Sequence, residues 1–215
     1  MNIKKGELPL AKSFIGQHLD RIIDWSVGDV KRCCNLNADG TCADNGALLG
    51  AFMLWCCAID YFGGLFTGNS GDNGTKTRVR EFINKYMPSY EWQKVYDLRW
   101  SLLHFYSPHH FLLFHEGDEN NGRTKHLKTS NQGILLHLGC SIIDLEKAVG
   151  SFRSDVRKSD EMKVRIWRYY KAQPPVMPIK FELVQPIMMS SLATGTSIQN
   201  IEASGTVPYY TWVKK

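Results

Sequence analysis

The 215-residue sequence lacks most of the short patterns that announce a chemistry. It has no GxSxG nucleophile elbow, no HExxH pair, no EF-hand loop and no glycine-rich dinucleotide fingerprint, which removes the enzyme classes built on them. A phosphate-binding loop is approached and missed. In GNSGDNGTKT (Gly68–Thr77), Thr75 separates Gly74 from Lys76, and an apolar helix precedes the loop where a strand is required. CxxC spacing is missing too: the six cysteines are Cys33, Cys34, Cys42, Cys56, Cys57 and Cys140. Two adjacent pairs do not make zinc spacing, and Cys56 and Cys57 fall in an apolar segment where cysteine behaves as a small hydrophobe. The basic start, MNIKKGELPLAKSF, is followed by no apolar run, so no secretory signal is expected. Reduced thiols, a cytoplasmic location, and neither metal nor cofactor are the expectations that follow. No internal repeat occurs.

What is present is ordinary globular composition: 43% hydrophobic, 22% charged, net charge +5. That length and balance suit one domain with a real core, and permit anionic partners without demanding them. One run is long enough to span a bilayer, Gly46–Phe66 (GALLGAFMLWCCAIDYFGGLF). It carries Asp60 and four glycines, and no basic cluster hugs its ends. A helix buried on nearly all sides of a bundle has the same all-round apolarity, and that is the reading adopted; a membrane-associated protein is the weaker alternative.

Helical periodicity predicts helices over Lys12–Cys34, Gly46–Phe66, Thr77–Tyr86 and Tyr90–Tyr106, the last capped by Ser89 and ended by Ser107-Pro108. His110–Glu116 and Thr124–Thr129 read as two strands of a hairpin around the polar turn GDENNGR. The helical period returns over Ile134–Val156 and Glu161–Lys171. The expected fold is mainly α: a helical bundle over residues 1–173 with a small β-hairpin insertion at about 109–130. An irregular or β-like C-terminal extension over 174–215 completes it.

Two clusters invite a binding role. His109, His110, His115 and His126 fall on the expected hairpin, but residues five apart on a strand face opposite ways, so polar hairpin residues are the simpler reading. Arg153–Lys171 carries seven basic and three acidic residues with Trp167, Tyr169 and Tyr170 interleaved. Arg153, Arg157, Lys158, Lys163, Arg165 and Arg168 are candidates for holding a nucleic-acid backbone; a solvated amphipathic helix is the plainer alternative.

The segment DLRWSLLHFYSP (Asp97–Pro108) is the most informative. On a helix, Val95, Leu98, Leu102, Phe105 and Tyr106 gather on a core face. Tyr96, Trp100 and Leu103 make a second apolar face between Arg99 and His104, which lie about 140° apart. A solvated face should not carry that much apolar area, and a symmetric homodimer is an economical way to cover it.

RWSLLH (Arg99–His104), with Tyr96-Asp97-Leu98 before it and Phe105-Tyr106 after, resembles the R-x(4–6)-H motif of HEPN domains, small helical bundles of prokaryotic defence and toxin systems. The resemblance covers about twenty residues and otherwise only the bundle architecture. It implies dimerisation through the motif helix and, in active members, a metal-independent ribonuclease with a cleft shared by two subunits. Arg99 would then stabilise charge on the scissile phosphate, and His104 would move a proton at the 2′-hydroxyl or the leaving oxygen. Asp97, Ser101 and Tyr96 would support them, and Tyr96, Trp100 and Leu103 would line the dimer interface. RNA is the expected partner; a cognate antitoxin is not named by the residues. The sequence departs from the family at Trp100, where active members commonly carry a small polar residue. The alternative is a non-catalytic HEPN-like dimerisation or nucleotide/ligand-binding module in which Trp100 fills the cleft.

Overall fold

The computed structural model describes residues 3–4, 6–42 and 46–173. The chain divides into two units, Met1–Pro175 and Val176–Lys215, and the expected C-terminal extension lies outside the described residues. Seven α-helices and a three-stranded sheet make up the described part. In chain order they are α1 (Glu7–Cys33), α2 (Leu48–Thr67), α3 (Thr75–Tyr86), α4 (Trp92–Phe105), β1 (Phe111–Phe114), α5 (Glu119–Lys125), β2 (Thr129–Ser130), β3 (Gly133–His137), α6 (Leu138–Lys158) and α7 (Asp160–Ala172).

The apolar run becomes the axis of the bundle. Helix α2 is long and apolar enough to cross a membrane, and it packs against α1, α3, α4, α6 and α7. Phe52, Trp55, Ile59, Phe62 and Leu65 are fully buried, and each such side chain contributes about 1.5–3 kcal/mol relative to exposure. Phe62, Phe82 and Phe152 meet in one aromatic cluster that ties α2, α3 and α6 together. Trp55 stays paired in that interior by donating its indole N–H to the Ser141 carbonyl at 2.9 Å. Two glycines set how closely the neighbours approach. A Cβ on Gly63 would overlap the Arg78 carbonyl, and one on Gly64 would overlap the Tyr169 ring.

The helices follow the periodicity, with the ends set by caps. Helix α1 begins earlier than Lys12 because Glu7 favours the first turn and Pro9, also in that turn, costs no intrahelical bond. Helix α4 starts after Glu91, so Ser89 is not its cap. Between α6 and α7, Ser159 ends one helix and caps the next, its hydroxyl accepting from Met162 N–H at 3.2 Å.

The hairpin expectation is overturned. β1 pairs with β3 in parallel, Phe111 opposite Ile134 through Phe114 opposite His137, and β2 joins the other edge of β3 antiparallel. The polar segment read as a turn instead starts helix α5, because the Asp118 carboxylate accepts from Asn121 N–H at 2.8 Å and caps it. Thr124–Lys128 is therefore the end of a helix and a turn, and the expected strand survives only at Thr129, where β2 begins. GILLH (Gly133–His137), read as the start of a helix, is the central strand, and α6 begins at Leu138.

A buried polar network fixes this insertion to the bundle. The His137 N–H donates to His126 Nδ1 at 3.1 Å, so the neutral His126 ring carries its proton on Nε2, which faces Tyr90 Oη at 2.9 Å. Tyr90 donates to Asp144 at 3.0 Å and Arg123 to the same oxygen at 2.8 Å. Although burial opposes the charge, the His126 and Arg123 contacts hold the Asp144 carboxyl down at about 2. His137 accepts from Cys140 N–H at 3.1 Å and so caps α6, and burial lowers its pKa below the ordinary histidine value.

Candidate functional site: the two sides of helix α4

Val95, Leu98, Ser101 and Leu102 form the inner side of α4. Ser101 is buried and donates back to the Leu98 carbonyl at 3.1 Å, so it spends its hydroxyl within its own helix. Phe105 and Tyr106 do not join that side as expected. Each is 65% exposed, because the helix ends at Phe105 and Tyr106 takes a left-handed conformation (φ 56°) that turns the chain away.

Arg99 reaches from α4 to Asp60 on α2, Nη2 to Oδ2 at 3.1 Å. Asp60 is also bound by Arg78 of α3, Nε to Oδ1 at 2.6 Å and Nη2 to Oδ2 at 3.3 Å. Arg78 spends its remaining donors on the Asn69 and Gly71 carbonyls and the Thr75 hydroxyl, at 3.4, 2.8 and 2.8 Å. One nearly buried carboxylate thus serves two guanidinium groups. Arg99 retains 23% side-chain exposure, and its Nε is buried without a hydrogen-bond partner. Cys57 on α2 feels both effects: burial pushes its thiol up, and the Arg99 charge pulls it partly back.

The outer side differs in kind. Trp100 is 46% exposed, Leu103 is also exposed, and His104 points to solvent. The Trp100 ring lies 5.3 Å from the His104 ring and 4.9 Å from Phe105. Asp97, one turn before, sits 3.6 Å from His110 Nε2, and Tyr96 is half-buried. The structure therefore gathers Trp100, Leu103, His104, Phe105 and Tyr106 at one end of α4. It sends Arg99 and Ser101 the other way.

The basic stretch Arg153–Arg168 spreads over α6 and α7, and carboxylates occupy most of it. Arg153 pairs with Asp20 and Asp24, Arg157 with Asp20, Lys163 with Asp160, Arg165 with Glu161, and Arg168 with Glu7. Of the six candidates, Lys158 is the one given no ion pair among the described residues. Among the described residues no group of three or more His, Cys, Asp or Glu is arranged to hold a metal ion. His126 leaves the histidine group altogether for the buried network.

Sequence reasoning missed Asp60 and Arg78 as a pair. The available signal was Asp60 itself, since a lone acid in a buried apolar helix requires a partner. No family model, curated protein or solved structure matches the chain.

Proposed function

We propose that the chain is a HEPN-like homodimerising module whose working surface is the distal half of α4, and that it binds rather than cleaves. The observation that carries this reading is the exposed aromatic end of α4. Trp100, Leu103, Phe105 and Tyr106 surround His104 there, while Arg99 of the same motif is turned to Asp60. A two-fold axis through that end lets one patch cover its own copy, the economical use of such a surface. Phosphodiester cleavage needs the arginine and histidine on one open surface, and here Arg99 is turned to Asp60 while the Trp100 ring stands 5.3 Å from His104. The reading takes α2 as a core helix and the protein as cytoplasmic, without a membrane role.

The decisive experiment is light scattering of wild type and Trp100→Asp at matched concentration. A dimer that becomes a folded monomer supports the reading; a wild-type monomer overturns it.

A second reading has its own observation. Arg99 shares Asp60 with Arg78, its Nε has no hydrogen-bond partner, and its side chain keeps some exposure through which a phosphate could be reached. In that reading the dimer is a metal-independent endoribonuclease, with Arg99 stabilising the phosphorane charge and His104 transferring the proton. Cleavage of single-stranded RNA in EDTA, lost in both Arg99→Ala and His104→Ala dimers, would establish it. Wild-type dimer without cleavage leaves the binding module.

A further inference from the structure

The turn between α1 and α2 brings two cysteines together. Cys34 caps the C-terminus of α1 and is 1% exposed; Cys42 is half-buried. An isolated antiparallel bridge between Leu36 and Cys42 folds the chain back on itself. Asn37 N–H to the Thr41 carbonyl and Asn37 Nδ2 to Thr41 Oγ1, both at 2.8 Å, tighten that fold. Cys34 and Cys42 then line the same small cavity, of about 10 Å³, with Gly46, Leu48, His115 and Leu138. The two sulfurs influence each other across that cavity. Their interaction draws the Cys34 thiol below its ordinary range and pushes the Cys42 thiol above it. Cys33, the adjacent thiol, is directed elsewhere, toward the Ala47 carbonyl at 3.8 Å.

We infer that Cys34 and Cys42 are a reversible disulfide site that exchanges with low-molecular-weight disulfides. Once its thiol has given up its proton, the Cys42 sulfur, the more accessible of the two, attacks one sulfur of a disulfide R–S–S–R. That S–S bond breaks, a mixed disulfide forms on Cys42, and the first RSH departs with the Cys42 proton. The Cys34 sulfur, which lines the same small cavity, then attacks the Cys42 sulfur and releases the second RSH with its own proton. The cysteines lose two electrons and two protons, and the reagent gains them as two thiols. Two RSH molecules reverse the sequence.

The bond would act on more than its own turn. The loop it closes docks on the insertion: the Asp39 carbonyl accepts from Glu119 N–H at 3.1 Å, and the Gly40 carbonyl lies against Gly139 too closely to admit a side chain there. Oxidation therefore clamps the end of α1 to the segment that holds the starts of α5 and α6.

The test equilibrates the full chain in buffers of oxidised and reduced glutathione, quenches with an alkylating agent in denaturant, and maps the peptides. Oxidising mixtures are expected to protect two of the six thiols, recovered as one peptide pair linked Cys34 to Cys42. Reducing mixtures are expected to return all six. Cys42→Ser must lose the link and Cys33→Ser must keep it. Six reactive thiols in every mixture, a persistent glutathione adduct on Cys42, or a Cys33 to Cys42 link would each overturn the assignment.

Discussion

Arg99 and Trp100 are consecutive residues, yet one reaches a carboxylate inside the bundle and the other lies half in solvent beside His104. The inner side of α4 is a matter of stability, because Asp60 pairs with both Arg78 and Arg99 where water is scarce. The outer side is exposed and contributes little to the stability of the lone chain. A motif that names an arginine and a histidine five positions apart therefore spans two physical environments. A loss of activity in an Arg99 variant alone would not distinguish chemistry from unfolding.

The sharpest way to break this division is Asp60→Ala. It leaves two arginines facing a site without a carboxylate, and the loss is about 3–5 kcal/mol of folding stability. Trp100→Ala on the outer side is expected to cost within about 0.5 kcal/mol in the same urea titration of dilute protein. Similar midpoint shifts for the two would erase the distinction. Arg99→Ala comes next, at about 1.5–3 kcal/mol, because Asp60 keeps Arg78 and only one charged contact is lost. Self-association is expected to reverse the ranking: Trp100→Ala should weaken the proposed dimer at least tenfold, about 1.4 kcal/mol, as read by sedimentation across a dilution series. His104→Ala should move neither stability nor folding by more than about 0.5 kcal/mol, which leaves it the cleaner probe of catalysis.

The smallest effect concerns pH and belongs to the insertion. His137 is buried with a pKa below 6.5, so the unfolded chain binds more protons than the native one as pH falls through that region. Its contribution is complete above pH 6.5 and declines below it. Asp144, depressed from 3.8 to about 2, adds a separate loss that begins as pH falls below 3.8. His137→Asn keeps a capping side chain and should flatten the upper step alone, measured as urea midpoint against pH. An unchanged profile would remove His137 as its source.

Most of the helices were legible because a 3.6-residue period is written directly into which residues are apolar. Six of the seven helices and the central place of α2 follow from that code. Of the sheet only β1, inside HFLLFHE, was legible; GILLH is as apolar as the helix it leads into, and only its partner FLLF across the insertion makes it a strand. Helix α5 was hidden behind glycine and asparagine, which signal a turn until Asp118 is seen to cap them. At the candidate site, the exposed face carrying Trp100 and Leu103 could be read from helical angle. The direction of Arg99 could not, because a long side chain at the margin of a face goes wherever a carboxylate waits, and Asp60 lies on another helix.

Gly63 and Gly64 put a different limit on the chain, one of inheritance. Alanine is the better helix former, so drift alone would replace glycine in the middle of α2 and gain about 1 kcal/mol at an open position. At these two it would drive the Arg78 backbone and the Tyr169 ring outward, separating α3 and α7 from the axis. Gly16 and Gly150, with nothing near the space a Cβ would fill, carry no such restriction. Any descendants of a common ancestor that keep this bundle are expected to retain the glycine pair and to vary the other two.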